Sequence, residues 1–268
     1  MANRYTLLIE NIFFRHYQEG EDVVTFKRDD ISKAAVELYG LLKNINPDLV
    51  HLHSSKAGFL GRIVSPFIVG KRPIIYTPNG ASFARTDVSK FKKTFFKACE
   101  YSANLLSGNV VCVSSSEAQL YKDIGIKAFH INNGSNINPP LKESDQTVFN
   151  VVTSGRVTNQ KNPSLFNKIA QHFEGHKNIR FTWVGQGNSQ NKVTAKNIRL
   201  TGWQSKESVL EELYKSNLYL STASWEGLAF SMLEAMSIGL PLVATKCVGN
   251  VDLVKDNFNG FLFNNADE

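Results

Sequence analysis

A chain of 268 residues with 42% hydrophobic and 20% charged residues can bury one large core or two compact ones, and it lies far from the composition of disordered proteins. No apolar run approaches the ~20 residues that span a bilayer, and MANRYTLLIE lacks the basic start, apolar centre and cleavage site of a signal peptide, so a cytoplasmic location is expected. Three scattered cysteines without a C-x-x-C argue against a disulfide framework or zinc site, and the net charge of +6 comes wholly from residues 1–142, with 18 Lys/Arg against 12 Asp/Glu, since residues 143–268 hold 12 of each.

In chain order, short β-rich runs alternate with helical ones. PDLVHLHS precedes AGFLGRIVSPFIV, RPIIYT precedes a long segment from Val88 to Leu106, and NVVCVS precedes SSEAQLYKDIG. This is the rhythm of a parallel sheet, and runs such as VVCV do not alternate in polarity, which implies helices on both faces. NINPPLKESD, from Asn136 to Asp145, is polar, proline-bearing and without period, and reads as a linker between a domain at 1–142 and another at 143–268. The rhythm then restarts: FNVVTSG before PSLFNKIAQHF with Pro163 in its first turn, IRFTWVG before a polar loop, NIRLTG before KESVLEELYKS, NLYLST before LAFSMLEAMSI, and PLVAT before NGFLF. Two Rossmann-like α/β domains are expected, each a parallel sheet covered by helices.

Ligands of doubly wound sheets lie beyond the C-terminal ends of strands. After FNVVTS come Gly155, Arg156 and Lys161, two cations beside a glycine turn, which fit a phosphate or an ordinary solvated loop. After RFTWV, Gly185 and Gly187 resemble part of a dinucleotide fingerprint but lack its third glycine. After LYLSTAS comes WEGLAFSMLEAM, where a helix is expected to begin near Leu228 or Ala229. Its N-terminus is a seat for a diphosphate, flanked by Glu226 in the loop and Glu234 on the helix as acceptors for sugar hydroxyls; the plainer reading makes Glu226 a partner of the helix dipole and Glu234 a surface residue.

The stretch EGLAFSMLEAMSIGLPLVA resembles the hallmark of the family 4 retaining glycosyltransferases of the GT-B fold. SGRVTNQKN resembles that family's phosphate loop, HLHSSKAGFLGR and IIYTPNG its acceptor-domain loops, and GNVDLVKDNFNGFLF its closing segment, so the matches run in family order from about residue 48 to residue 263. The resemblance implies transfer of a sugar, with retention, from a nucleotide-sugar donor, expected to be UDP-linked, to a glycan or lipid-linked acceptor in surface polysaccharide biosynthesis. It implies Arg156, Lys161 and Glu226 as catalytic residues. It implies Gly155, Gly185, Trp203, Gly227, Leu228, Ala229 and Glu234 at the donor, and Ser55, Lys56, Gly58, Asn79 and Gly80 on the acceptor side. With no D-x-D in the chain, no metal and no cofactor are expected.

The sequence departs from the family at Asn79, where the family commonly has His, in a start without the family's strand and Gly-rich loop, and in an end that stops at NNADE. These departures define the alternative, a catalytically disabled sugar-nucleotide-binding or partner protein. A GT-B-like epimerase lacks a visible acid and base pair, and a nicotinamide dehydrogenase lacks the glycine fingerprint. His51 and His53 read as polar strand-end residues, and His172 and His176, though spaced four apart, lack the zinc-protease pattern because Phe173 stands where Glu is needed. Asn133-Gly-Ser135 reads as a turn. Residues 85–97, RTDVSKFKKTFFK, mix five cations with three phenylalanines and suit either an anionic membrane surface or a solvated helix, while no recognition element for nucleic acid accompanies them.

Overall fold

A computed structural model describes residues 6–10, 13–16, 24–25, 31–70, 72–137 and 147–267. The chain divides into two compact units, Met1–Asn132 and Asn133–Glu268. Most of the expected linker, residues 138–146, lies outside the described residues.

The first unit holds a seven-stranded sheet in the order β3-β2-β1-β4-β5-β6-β7. Its strands are β1 (Thr6–Glu10), β2 (Phe13–His16), β3 (Val24–Thr25), β4 (Leu49–His53), β5 (Ile74–Thr77), β6 (Asn109–Cys112) and β7 (Ala128–His130). From β1 through β7 the neighbours are parallel, and β2 and β3 extend the sheet antiparallel beyond β1. The opening TLLIE therefore is a strand, paired in register with LVHLH of β4, and the expectation of a start without one does not hold. The helices are α1 (Ile31–Ile45), α2 (Ser55–Val64), α3 (Pro66–Val69), α4 (Lys90–Leu106) and α5 (Ser115–Lys122). Pro66 separates α2 from α3, since proline has no N–H to continue a helix but is at home in its first turn.

The core of this unit packs Leu38 and Leu42 of α1 against Val50, Leu52, Ile74, Tyr76, Val110 and Cys112 of the strands. Helix α2 comes unusually close to the sheet. A Cβ on Gly58 would stand 2.0 Å from the Tyr76 ring, and one on Gly61 2.3 Å from Leu52, so only glycine permits the approach. One turn on, the fully buried Arg62 donates to Glu100 Oε2 of α4 at 2.5 Å and to the Gly58 carbonyl at 2.9 Å, and its guanidinium lies 4.0 Å from the Tyr76 ring centre. Tyr76 donates to the other Glu100 oxygen at 3.0 Å. A buried pair held in this way, with Arg62 Nη1 left without a hydrogen-bond partner among the described residues, fixes the register of α2 and α4 on the sheet more than it adds stability.

The second unit is a six-stranded, wholly parallel sheet in the order β10-β9-β8-β11-β12-β13. Its strands are β8 (Phe149–Ser154), β9 (Ile179–Val184), β10 (Ile198–Leu200), β11 (Leu218–Ser221), β12 (Leu242–Thr245) and β13 (Gly260–Phe263), with helices α6 (Pro163–His172), α7 (Lys206–Tyr214), α8 (Phe230–Ser237) and α9 (Asn250–Leu253). Counted within the unit, the order is 3-2-1-4-5-6, the doubly wound arrangement in which chain direction reverses between the first and fourth strands. Phe166, Phe181 and Trp183 form the aromatic centre of its core, with edge contacts at 5.0 and 5.7 Å between ring centres. Among the described residues no helix is long and apolar enough to cross a membrane.

Candidate functional site

The reversal of strand order in the second unit falls between β8 and β11, and the crevice beyond their C-terminal ends is where such sheets take ligands. Both loops that carry the expected residues leave the sheet there. From β8, Gly155 turns with φ +133, and a 3-10 turn over Asn159–Lys161 follows. Asn162, left-handed at φ 51, then caps α6 by accepting from the Leu165 N–H at 3.2 Å, with Pro163 beside it in the first turn. Thr222, just past β11, donates to the Lys161 carbonyl at 2.8 Å and so fastens this turn to the neighbouring strand end.

The two loops meet in an ion pair. Lys161 Nζ lies 2.8 Å from Glu226 Oε1, with side chains 20% and 9% exposed. The adjacent Gln160 donates to the Trp225 carbonyl at 3.2 Å and to Glu226 Oε2 at 3.4 Å, and its own carbonyl accepts from the Ser224 N–H at 2.8 Å. One turn of chain therefore holds both oxygens of the carboxylate. Burial works against the charge on Lys161, but the facing Glu226 together with Tyr219 and Cys247 outweighs it and raises the lysine above its ordinary pKa. Arg156, by contrast, is exposed and its guanidinium has no hydrogen-bond or ion-pair partner among the described residues.

Beyond Glu226 the chain runs through Gly227, Leu228 and Ala229, all buried, and their backbone N–H groups meet no acceptor among the described residues. Helix α8 starts at Phe230, one to two residues later than expected, with Ala229 in the capping position and no side-chain cap. Uncommitted donors before a helix start are able to receive an anion. Glu234 lies in the second turn, half-buried, and burial raises its pKa, with Lys206 opposing the shift. Trp203 is 73% exposed and follows Gly202, which pairs with Gly185 in a bridge, so the indole stands beside the loop that leaves β9.

Several residues that shape this site were not read as site residues in the sequence. A Cβ on Gly187 would lie 2.3 Å from the Val157 carbonyl, and one on Gly249, at φ +84, 2.4 Å from the Gly227 carbonyl. Asn133 donates to the Leu228 carbonyl at 3.0 Å, so the Asn-Gly-Ser stretch braces the α8 entry rather than forming a turn. Only the glycine spacing hinted at the first two; nothing local marks Asn133 or Gln160. A surface depression lined by Asn150, Arg180, Arg199, Glu212 and Lys215 lies at the opposite, N-terminal ends of β8–β10 and holds none of the expected residues.

In the first unit, Ser55 opens α2 behind Ser54, itself at φ 63, and Lys56 is exposed, whereas Gly58 is buried beneath Tyr76, where its role is in packing. Asn79 and Gly80 both have positive φ, and the Asn79 amide lies 3.1 Å from His53 Nδ1, so an imidazole stands next to the amide. The turn is tied down by Glu117 of α5, fully buried, which accepts from the Gly80 N–H at 2.6 Å and the Val113 N–H at 3.1 Å while Ser114 caps the helix. Burial pushes the Glu117 carboxyl up to about 7 despite these donors. His51, donor or acceptor to Thr77 at 2.9 Å, is lowered to about 4 by burial and by neighbouring His53.

Two α/β units, each a largely parallel sheet covered by helices, with a cation, carboxylate and amide site at the switch point of the second, define a protein of the GT-B class. The sequence pattern described as Glycosyltransferase Family 4 matches residues 18–138, and that described as Glycosyl transferases group 1 matches residues 137–268. The chain belongs to glycosyltransferase family 4. It is 30% identical over 264 residues to the UDP-Gal:alpha-D-GlcNAc-diphosphoundecaprenol alpha-1,3-galactosyltransferase of Escherichia coli, a match covering 86% of this chain and 66% of that protein. It is 27% identical over 241 residues to the O-antigen biosynthesis glycosyltransferase WbnH of Escherichia coli, covering 87% and 68%. Among solved structures, Anabaena Alr3699/HepE in complex with UDP-glucose superposes with a TM-score of 0.72 at 17% identity, over 90% of this chain and 72% of that one. The chain thus spans about two thirds of the length of these curated relatives.

Proposed function

We propose that the chain is a retaining glycosyltransferase that moves a sugar from a UDP-linked donor to a glycan or lipid-linked acceptor in surface polysaccharide biosynthesis. The observation that carries the reading is the meeting of Lys161, Glu226 and the uncommitted amides of Gly227, Leu228 and Ala229 at one switch point. The amides and the α8 dipole receive the diphosphate. Lys161 and Arg156 balance the charge that grows on it as the nucleotide leaves, since fixed cations in a water-poor site act on developing charge without reorganising. Glu226 accepts from hydroxyls of the transferred sugar, Glu234 from the ribose, and Trp203 offers its indole to the base. No divalent metal and no cofactor enter this scheme. The names of the relatives, several of which make lipopolysaccharide, O-antigen or other cell-surface glycans, support the acceptor class. In this reading Ser55, Lys56, Asn79 and Gly80 serve the acceptor side, and the protein works in the cytoplasm at the inner face of a membrane, with residues 85–97 as its cationic contact.

The test is thermal unfolding with UDP, GDP, ADP and their sugar conjugates, followed by product analysis with lipid-linked and free glycan acceptors. Stabilisation by UDP forms, and a product whose new linkage keeps the donor's anomeric configuration, are the expected results. An inverted linkage, interconversion of the free nucleotide sugar, or no response to any nucleotide would overturn the proposal.

A further inference from the structure

We propose that Tyr219 is a positioning residue of the site at the switch point: its phenol stands in for the strand partner that β8 loses there, and so fixes the start of the loop carrying Arg156 and Lys161. Its bearing on sugar transfer rests on the reading of this crevice as the nucleotide-sugar site. Strands β8 and β11 run on to Ser154 and Ser221, but their ladder pairs only Val151 with Leu218 and Val152 with Tyr219. On its other side β8 stays paired with β9 as far as Ser154 and Val184, and the Gly155 N–H still reaches the Val184 carbonyl at 2.9 Å. Strand β11 therefore leaves β8 beyond Val152, and that parting opens the crevice. Gly155 turns its N–H to β9, so Ser154 turns its backbone groups the other way, to the side that β11 has left.

Left bare, a buried N–H and C=O would each forfeit a hydrogen bond. Tyr219 supplies both. Its hydroxyl accepts from the Ser154 N–H at 3.3 Å and donates to the Ser154 carbonyl at 3.2 Å. Tyr219 is buried and sits opposite Val152, so it shares a face with Ser154 two positions on, a diagonal that an aromatic side chain spans. Phenylalanine would fill the volume and make neither bond. The anchor leads directly to the cations. A Cβ on Gly155, the next residue, would meet Lys161 Cε at 3.2 Å and Nζ at 3.7 Å, so the lysine lies folded back over the chain that the phenol holds. Thr222 holds the other end of the loop at the Lys161 carbonyl, so Tyr219 and Thr222 together set where the loop begins and where it ends. A loop fixed in this way keeps its cations from shifting as charge grows on a leaving diphosphate.

The test compares two tyrosines that lose the same atom. Tyr219→Phe removes the phenol oxygen at the switch point. Tyr76→Phe removes one equally buried in the first unit, where it donates to Glu100 at 3.0 Å. Both variants should melt a few degrees below the parent. Only Tyr219→Phe should weaken UDP binding, by about tenfold in titration calorimetry well below the melting point. Only it should speed amide exchange across residues 154–161, by about the same factor. In the parent, NMR should find the Ser154 amide exchanging as slowly as those of Val151 and Val152, a readout that needs no variant to fold. Parent-like UDP affinity in Tyr219→Phe, an equal loss in Tyr76→Phe, or a Ser154 amide that exchanges as fast as a loop amide would overturn the proposal and leave the transferase reading standing. No response of the parent to any nucleotide would remove both.

Discussion

The Lys161 ammonium and the Glu226 carboxylate, 2.8 Å apart and largely withdrawn from water, are each other's main counter-charge. Removing one leaves the other stranded, which costs ~3–5 kcal/mol in a fully buried pair and about 2–3 kcal/mol here, because part of Lys161 reaches solvent. Lys161→Ala should lower stability by that amount in urea denaturation and abolish the nucleotide response. The double variant Lys161→Ala/Glu226→Ala should recover a good part of the stability and none of the response.

Arg156 predicts the opposite separation. Its guanidinium is exposed and without a partner among the described residues, so Arg156→Ala should change the unfolding free energy by no more than about 0.5 kcal/mol. At ligand a hundredfold above its dissociation constant the parent gains ~2.7 kcal/mol. Calorimetry with and without UDP should show that gain shrinking or vanishing in the variant while the unliganded melting temperature stays put.

Two glycines with positive φ form a matched pair. Gly239 ends α8 at φ +76 with nothing within 4 Å of its absent Cβ, so Gly239→Ala should cost ~1 kcal/mol of backbone strain and leave UDP binding intact. Gly249→Ala adds to such strain a Cβ 2.4 Å from the Gly227 carbonyl and 3.0 Å from the Glu226 Cβ. It should cost at least ~2 kcal/mol and displace the loop that bears Glu226, seen as a lost UDP shift in the same thermal assay.

Glu117 titrates in the direction opposite to most carboxylates. Burial raises its pKa from 4.5 to about 7, so between those values the folded chain holds a proton the unfolded chain has released, and stability falls as pH rises. The span corresponds to at most ~3 kcal/mol. His51, lowered to about 4, tilts the curve the other way, with stability lost as pH falls from 6.5, but it is common to parent and variant and drops out of their difference. The stability gap between the parent and Glu117→Gln should therefore narrow from pH 4.5 to above pH 7 in melts recorded across that range. A gap that widens would show that the carboxylate is held ionised by its backbone donors.

The sequence displayed the strands and the charged ends of the loops because these follow local rules: apolar runs bounded by glycine and proline, and cations or carboxylates just after them. Arg156, Lys161 and Glu226 were legible for that reason, and the structure joins Lys161 to Glu226 across the switch point. Gln160, Gly249 and Asn133 act through partners 66, 22 and 95 positions away, at Glu226, Gly227 and Leu228, and no local pattern carries such pairings. Glu117 drew no reading from the sequence, and its hold on Gly80 appears only once β5, β6 and α5 are folded together. The start of the chain was misjudged because TLLIE is short and its support comes from β4, some forty positions on.

The close contact of glycines beneath the second unit's site also limits how it can move. A Cβ on Gly185 would stand 2.2 Å from the Gly155 carbonyl, and one on Gly187 2.3 Å from that of Val157, while Trp183 donates to the Gly155 carbonyl at 3.0 Å. The turns leaving β8 and β9 are thus pressed together backbone on backbone, and neither can lift without dragging the other and the indole beneath. This floor acts as one rigid plate. Any movement that opens or closes this site must therefore come from elements other than these two turns.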